Sequence, residues 1–75
     1  MNRGSLELAK IFEAAPRGFQ RRMAKKTGIS QSWLSRIAAG AKPDRKVSLL
    51  IEQETGISPS SYDEPAEALA PKLAG

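Results

Sequence analysis

The chain has 75 residues, a net charge of +4 at neutral pH, and neither cysteine nor histidine. That length suits one small domain, and no second, ligand-sensing one is expected; the two absent residue types exclude disulfides, thiol catalysis and nearly all zinc chemistry. No stretch approaches the roughly 20 apolar residues of a membrane span and no early apolar run resembles a signal peptide, so a cytoplasmic protein is expected.

The first predicted element is a helix over residues 6–14. Ser5 is placed to cap it, Glu7 suits its dipole, and Leu8, Ile11, Phe12 and Ala15 form an inward stripe. Pro16, Arg17 and Gly18 end it and reverse the chain. A second helix is expected over 20–26, with Phe19, Met23 and Ala24 on its apolar side and Gly28 where a chain leaving a helix needs positive φ. Ser30 offers a hydroxyl to the free N–H groups of a third helix over 31–39, which ends at Gly40. After Ala41, Lys42 and Pro43, Asp44 can cap a fourth helix that runs to Thr55 and closes at Gly56. Val47, Leu50 and Ile51 share its inner face; Leu49 points nearly opposite, toward the fifth element or a partner subunit. Ser58 and Pro59 suit the cap and first position of one further turn, ending near Tyr62.

The chain thus divides into an all-α domain of five short helices over 1–62 and an Ala/Pro-rich segment over 63–75. In that segment Leu69 and Leu73 lie four apart between prolines. It reads either as an unstructured tail or as a short arm packed on the domain or across a dimer.

The third helix has two unlike sides. At roughly 100° per residue, Gln31, Ser32, Ser35, Arg36 and Ala39 fall within one arc of about 140°, with Trp33, Leu34, Ile37 and Ala38 opposite. An ordinary solvated face would carry Glu and Lys. This one carries an amide, hydroxyls and one Arg, groups suited to base edges and phosphates. Trp33 lies at the margin of the apolar arc, packed against the next helix or touching DNA. The charge gathers on the same stretch: residues 17–46 hold nine Lys or Arg against one acid, Asp44, a net +8, while 47–75 carries −4. Such a patch draws a module to DNA and makes affinity fall with salt.

From Gln20 to Gly40 the motif QRRMAKKTGISQSWLSRIAAG resembles the helix-turn-helix of the Cro/cI-type (XRE-like) family of phage and bacterial transcriptional regulators. Ala24 falls on the small residue of its first helix, Gly28 on the turn glycine, and Ile29, Leu34 and Ile37 on the buried aliphatics. The likeness spans residues 19–65, including the closing ETGISPSSYDEP. It implies a lambda-repressor-like fold whose third helix enters the major groove, with Gln31 and Ser32 leading and Ser35 and Arg36 one turn on. Arg36 reads either as a guanine contact or as a phosphate contact. The resemblance further implies that Gln20 grips a phosphate while bracing Gln31, and that Lys42 and Arg45 meet the backbone. Arg17 and Arg21 flank the start of the second helix, where a phosphate is already favoured. Of Arg21, Arg22, Lys25 and Lys26 on the outward face, some are expected to touch phosphates and at least half to be simply solvated.

The expected function is a repressor that binds double-stranded DNA as a homodimer on inverted half-sites about one helical turn apart and excludes polymerase by occlusion. No catalytic constellation, cofactor, metal or small-molecule ligand is expected. An antitoxin or the controller of a restriction system would use the same physics. A protein-interaction module built on Leu49, Leu69 and Leu73 is the rival from another class.

Overall fold

The computed structural model describes residues 1–66. Within them the chain is all-helical: α1 (Arg3–Ala14), α2 (Phe19–Thr27), α3 (Gln31–Ala38), α4 (Arg45–Thr55) and a terminal 3-10 helix, Pro59–Asp63. The proposals for Leu69 and Leu73 lie outside the described residues.

Each element contributes to one core. Leu8, Leu34, Ile37 and Ile51 are wholly buried, and Met23, Ile29, Ile57 and Tyr62 nearly so. Ile11, Phe12, Phe19, Ala24, Trp33, Ala38, Val47 and Leu50 pack around them. At about 1.5–3 kcal/mol for each large aliphatic taken from water, this cluster is the main favourable term for so short a chain. α1 lies against α3 and the 3-10 helix, while α2 touches both α3 and α4. Phe12 and Phe19 meet across the α1–α2 turn with ring centroids 6.2 Å apart, inside the range of favourable aromatic pairs.

α1 begins earlier than its polar residues suggest. Asn2, not Ser5, is the cap: Asn2 Oδ1 accepts from the Ser5 amide at 2.6 Å. Ser5 itself is fully buried on the inner side of the first turn, its hydroxyl without a hydrogen-bond partner among the described residues. The cause is tertiary. Residues 64–66, the start of the expected tail, run back antiparallel to the N-terminus: Arg3 N donates to Glu64 O at 2.6 Å and Ala66 N to Met1 O at 3.1 Å. The Arg3 side chain adds ion pairs to Glu64 at 2.8 Å and Glu7 at 2.9 Å. The hydrogen bond to Glu64, ahead of the attraction of both carboxylates, holds the Arg3 guanidinium above its ordinary pKa.

Gly4 makes this first turn possible. A Cβ built there would stand 2.5 Å from Ser61 Oγ and 2.6 Å from the Tyr62 ring. The 3-10 helix therefore sits directly on the backbone of α1, and Tyr62 is 3% exposed. Its hydroxyl has no hydrogen-bond partner among the described residues. Burial first, and then the charge of Glu7, push its pKa up to about 12.

One helix-ending device occurs twice. Thr27-Gly28-Ile29-Ser30 and Thr55-Gly56-Ile57-Ser58 are the same tetrapeptide. In each, the Thr hydroxyl donates to the carbonyl four residues back (2.7 and 2.8 Å) and accepts from the Ile amide (3.2 Å both times). The Gly takes φ +81° in both, where only a residue without Cβ is unstrained. The following Ile then drops into the core. What comes next differs. Ser30 Oγ accepts from the Trp33 amide at 3.0 Å and opens α3, whereas Ser58 caps nothing with its side chain and leads into five residues of 3-10 helix. The expected fifth helix is thus a 3-10 turn, because SPSSY offers no apolar stripe to hold a longer one.

Candidate nucleic-acid interface

The groups that could contact a polyanion are arranged around α3. Leu34 and Ile37 anchor one side in the core, with Trp33 and Ala38 half-buried beside them. That anchorage turns Gln31, Ser32, Ser35 and Arg36 outward, and all four are exposed. Trp33, Val47 and Leu50 each pack against the core and line a cleft that also includes Ile29 and Lys46. The turn that aims α3 is built from Gly28 at φ +81°, Ile29 at 6% exposure and the Ser30 cap. Ala24 is half-buried and packs against the core.

Gln20 leans from the first turn of α2 onto α3. Its Nε2 donates to Ser35 Oγ at 2.7 Å and to the Gln31 carbonyl at 3.2 Å. The brace expected between two glutamine side chains is therefore made differently. Gln20 holds the backbone of Gln31, and its side-chain partner is Ser35, which stands one turn further on the same row of the helix.

The four basic residues of α2 divide into two pairs. Arg21 and Lys25 border a shallow groove whose other wall is Gly28, Ile29, Ser30 and Gln31. Arg22 and Lys26 lie around a separate cleft with Phe19, Met23 and Glu54, where Lys26 is 3.3 Å from Glu54. Lys25 therefore belongs with Arg21 as a neighbour of the α3 N-terminus, a pairing that the spacing of four residues already contained. Arg17 is exposed in the turn before α2.

Lys42 and Arg45 line one further cleft, together with Pro59, Tyr62 and Asp63. Lys42, expected to meet the DNA backbone, has its Nζ 2.6 Å from Asp63 Oδ1. The 3-10 helix brings that carboxylate back to the loop after α3, a proximity that sequence spacing did not contain. Both side chains are well exposed, and such pairs contribute about 0–1 kcal/mol. A phosphate can displace the carboxylate at small cost. Arg45 opens α4 and is exposed, while the neighbouring Asp44 is occupied as a cap, its Oδ1 accepting from Val47 N at 2.8 Å.

The arrangement offers hydroxyl, amide and guanidinium groups on an acid-free helix face, with cations beside its N-terminus and after its C-terminus. Among the described residues no group of His, Cys, Asp or Glu is placed to hold a metal ion, and no helix is long and apolar enough to cross a membrane. Compared with family models, curated proteins and solved structures, the chain matches none.

Proposed function

We propose that the protein binds double-stranded DNA in a sequence-specific way, with α3 in the major groove, and acts as a Cro/cI-like transcriptional repressor of lambda-repressor-like architecture. The observation that carries this reading is the exposed face of Gln31, Ser32, Ser35 and Arg36 with Arg21 and Lys25 alongside it. Gln31 is suited to a bidentate contact with adenine and Arg36 to guanine or a phosphate. Gln31 and Ser32 lead because they occupy the first turn of α3, the part of a recognition helix that reaches deepest. Arg17, Arg21, Lys25 and Arg45 supply the sequence-independent attraction, and Lys42 joins them on releasing Asp63.

In this reading a homodimer occupies two inverted half-sites about 10 base pairs apart and blocks transcription by occlusion. An antitoxin or a restriction controller would share the interface and differ in its partners. A protein-interaction module is the second reading. Leu49, 38% exposed, and the cleft of Trp33, Val47 and Leu50 favour it.

The test is selection from a random duplex pool at about 150 mM salt, where non-specific binding is weak. An enriched inverted repeat supports the proposal. Gln31→Ala should then lose on the order of 1–3 kcal/mol on the selected site and relax choice at one base pair. Failure of a folded protein to enrich any sequence would refute sequence-specific binding and favour the protein-interaction reading.

A further inference from the structure

The hydrogen bonds of Gln20 assign it a different task from gripping phosphate. An amide nitrogen has two protons, and Gln20 Nε2 has two acceptors in reach, Ser35 Oγ at 2.7 Å and the Gln31 carbonyl at 3.2 Å. The orientation of the amide is fixed by chemistry. A backbone carbonyl is acceptor-only, so turning the amide over would set two oxygens against each other at Gln31. Both protons are therefore committed inside the protein. What remains on Gln20 is an acceptor, Oε1, which a phosphate oxygen does not favour.

The same bond sets the character of Ser35. Its Oγ already accepts from Gln20, which strengthens its own O–H as a donor and leaves it a poorer acceptor for a second group. Ser35 is exposed on the outward face of α3, one turn beyond Gln31. We infer that Gln20 is a positioning residue and that it makes Ser35 a hydrogen-bond donor to the keto edge of a base in the major groove, guanine O6 or thymine O4. Cytosine offers only the N4 donor, and adenine offers a donor at N6 with its one acceptor displaced to N7, so both are disfavoured at the keto position. This inference rests on the DNA-binding reading above and adds the chemical class of base read by one residue.

Two measurements test it. On the free protein, NMR of the Gln20 side-chain amide should show both protons exchanging more slowly than those of an unbonded glutamine, and Ser35→Ala should release one of them. Two fast-exchanging protons would overturn the assignment without reference to DNA. Pool selection is then repeated with Ser35→Ala, Gln20→Ala and the double variant, each checked for an intact fold by circular dichroism. The wild-type protein should prefer guanine or thymine at one position of each half-site. Each single variant should lower that preference about three- to tenfold, the worth of one hydrogen bond, and the double variant should lose no more than either. Losses that add, or a Gln20→Ala that weakens all sequences equally, would make Gln20 an independent phosphate contact and overturn the inference. So would a wild-type preference for adenine or cytosine at the position that Ser35→Ala relaxes. Protected amide protons with no enriched sequence would overturn the DNA reading itself, and the role of Ser35 with it.

Discussion

Replacing Gly4 by Ala should destabilise the protein, against the usual trend for a helix. Gly4 is the second residue of α1 and is buried. In a helix interior, Gly→Ala ordinarily gains about 0.8–1 kcal/mol through backbone entropy. Here the new methyl would lie 2.5 Å from Ser61 Oγ and 2.6 and 2.7 Å from two carbons of the Tyr62 ring. Ordinary contact needs roughly 3.5–4 Å, so α1 and the 3-10 helix must separate by about 1 Å. Neither neighbour can give way easily. Ser61 is 1% exposed with its hydroxyl bonded to Ser58 O at 2.6 Å, and Tyr62 is 3% exposed within the core. Overpacking of this kind costs about 1–3 kcal/mol, and striking two buried groups places it at the upper end. After the propensity gain is subtracted, a net loss of about 1–2 kcal/mol is expected. For a domain of this size each kcal/mol shifts Tm by about 4–8 °C. Thermal melts followed by circular dichroism measure it directly. Gly4→Ala combined with Tyr62→Ala should recover much of the loss attributed to the methyl group, because its main obstacle is gone. A Gly4→Ala protein that melts at or above the wild-type temperature would refute the close approach of α1 to the 3-10 helix.

The buried phenol makes stability fall in alkali. The folded state keeps Tyr62 neutral until about pH 12, against an ordinary value of 10.0, so the contribution is complete below pH 10 and is lost as pH rises toward 12. That loss is of the order of 2 kcal/mol. Tyr62→Phe should abolish it, and should match or exceed wild-type stability at neutral pH because it removes a buried hydroxyl that has no partner among the described residues. Denaturant melts across this range check both, and tyrosinate absorbance reports Tyr62 alone because it is the only tyrosine. Asp63→Asn should leave stability within about 0.5 kcal/mol, since the pair with Lys42 is exposed, but should strengthen binding to non-specific duplex about two- to fivefold at low salt. Anisotropy titrations at two salt concentrations measure this; an unchanged affinity would exclude Lys42 from the DNA-facing surface.

The ends of α2, α3 and α4 and the two sides of α3 were legible in the sequence because they depend on near neighbours. Ser30 and Asp44 cap from within three residues of the amides that they bind, and Gly28 and Gly56 take the turn conformation next to the helices they close. The inward set of Leu34 and Ile37 follows from a spacing of three on a helix. The repeated Thr-Gly-Ile-Ser was equally present in the sequence, and its meaning became clear only when both Thr hydroxyls were seen making the same pair of bonds.

Features that join distant parts of the chain were decided by the tertiary structure. Ser5 seemed the natural cap of α1, yet residues 64–66 pair with the N-terminus, start the helix at Arg3 and leave Ser5 buried. Gly4 has no local signature that marks it, and its role comes from the 3-10 helix that rests on it. Spacing alone leaves Lys42 a solvated cation, and the same 3-10 helix supplies Asp63 to pair with it. The family resemblance implies that Gln20 grips a phosphate while bracing Gln31, whereas the packing of α2 on α3 gives its amide the Ser35 hydroxyl and the Gln31 backbone. Periodicity and capping are local and survive in one dimension; which side chain meets which across two helices depends on how the core seats them, and no spacing along the chain encodes that.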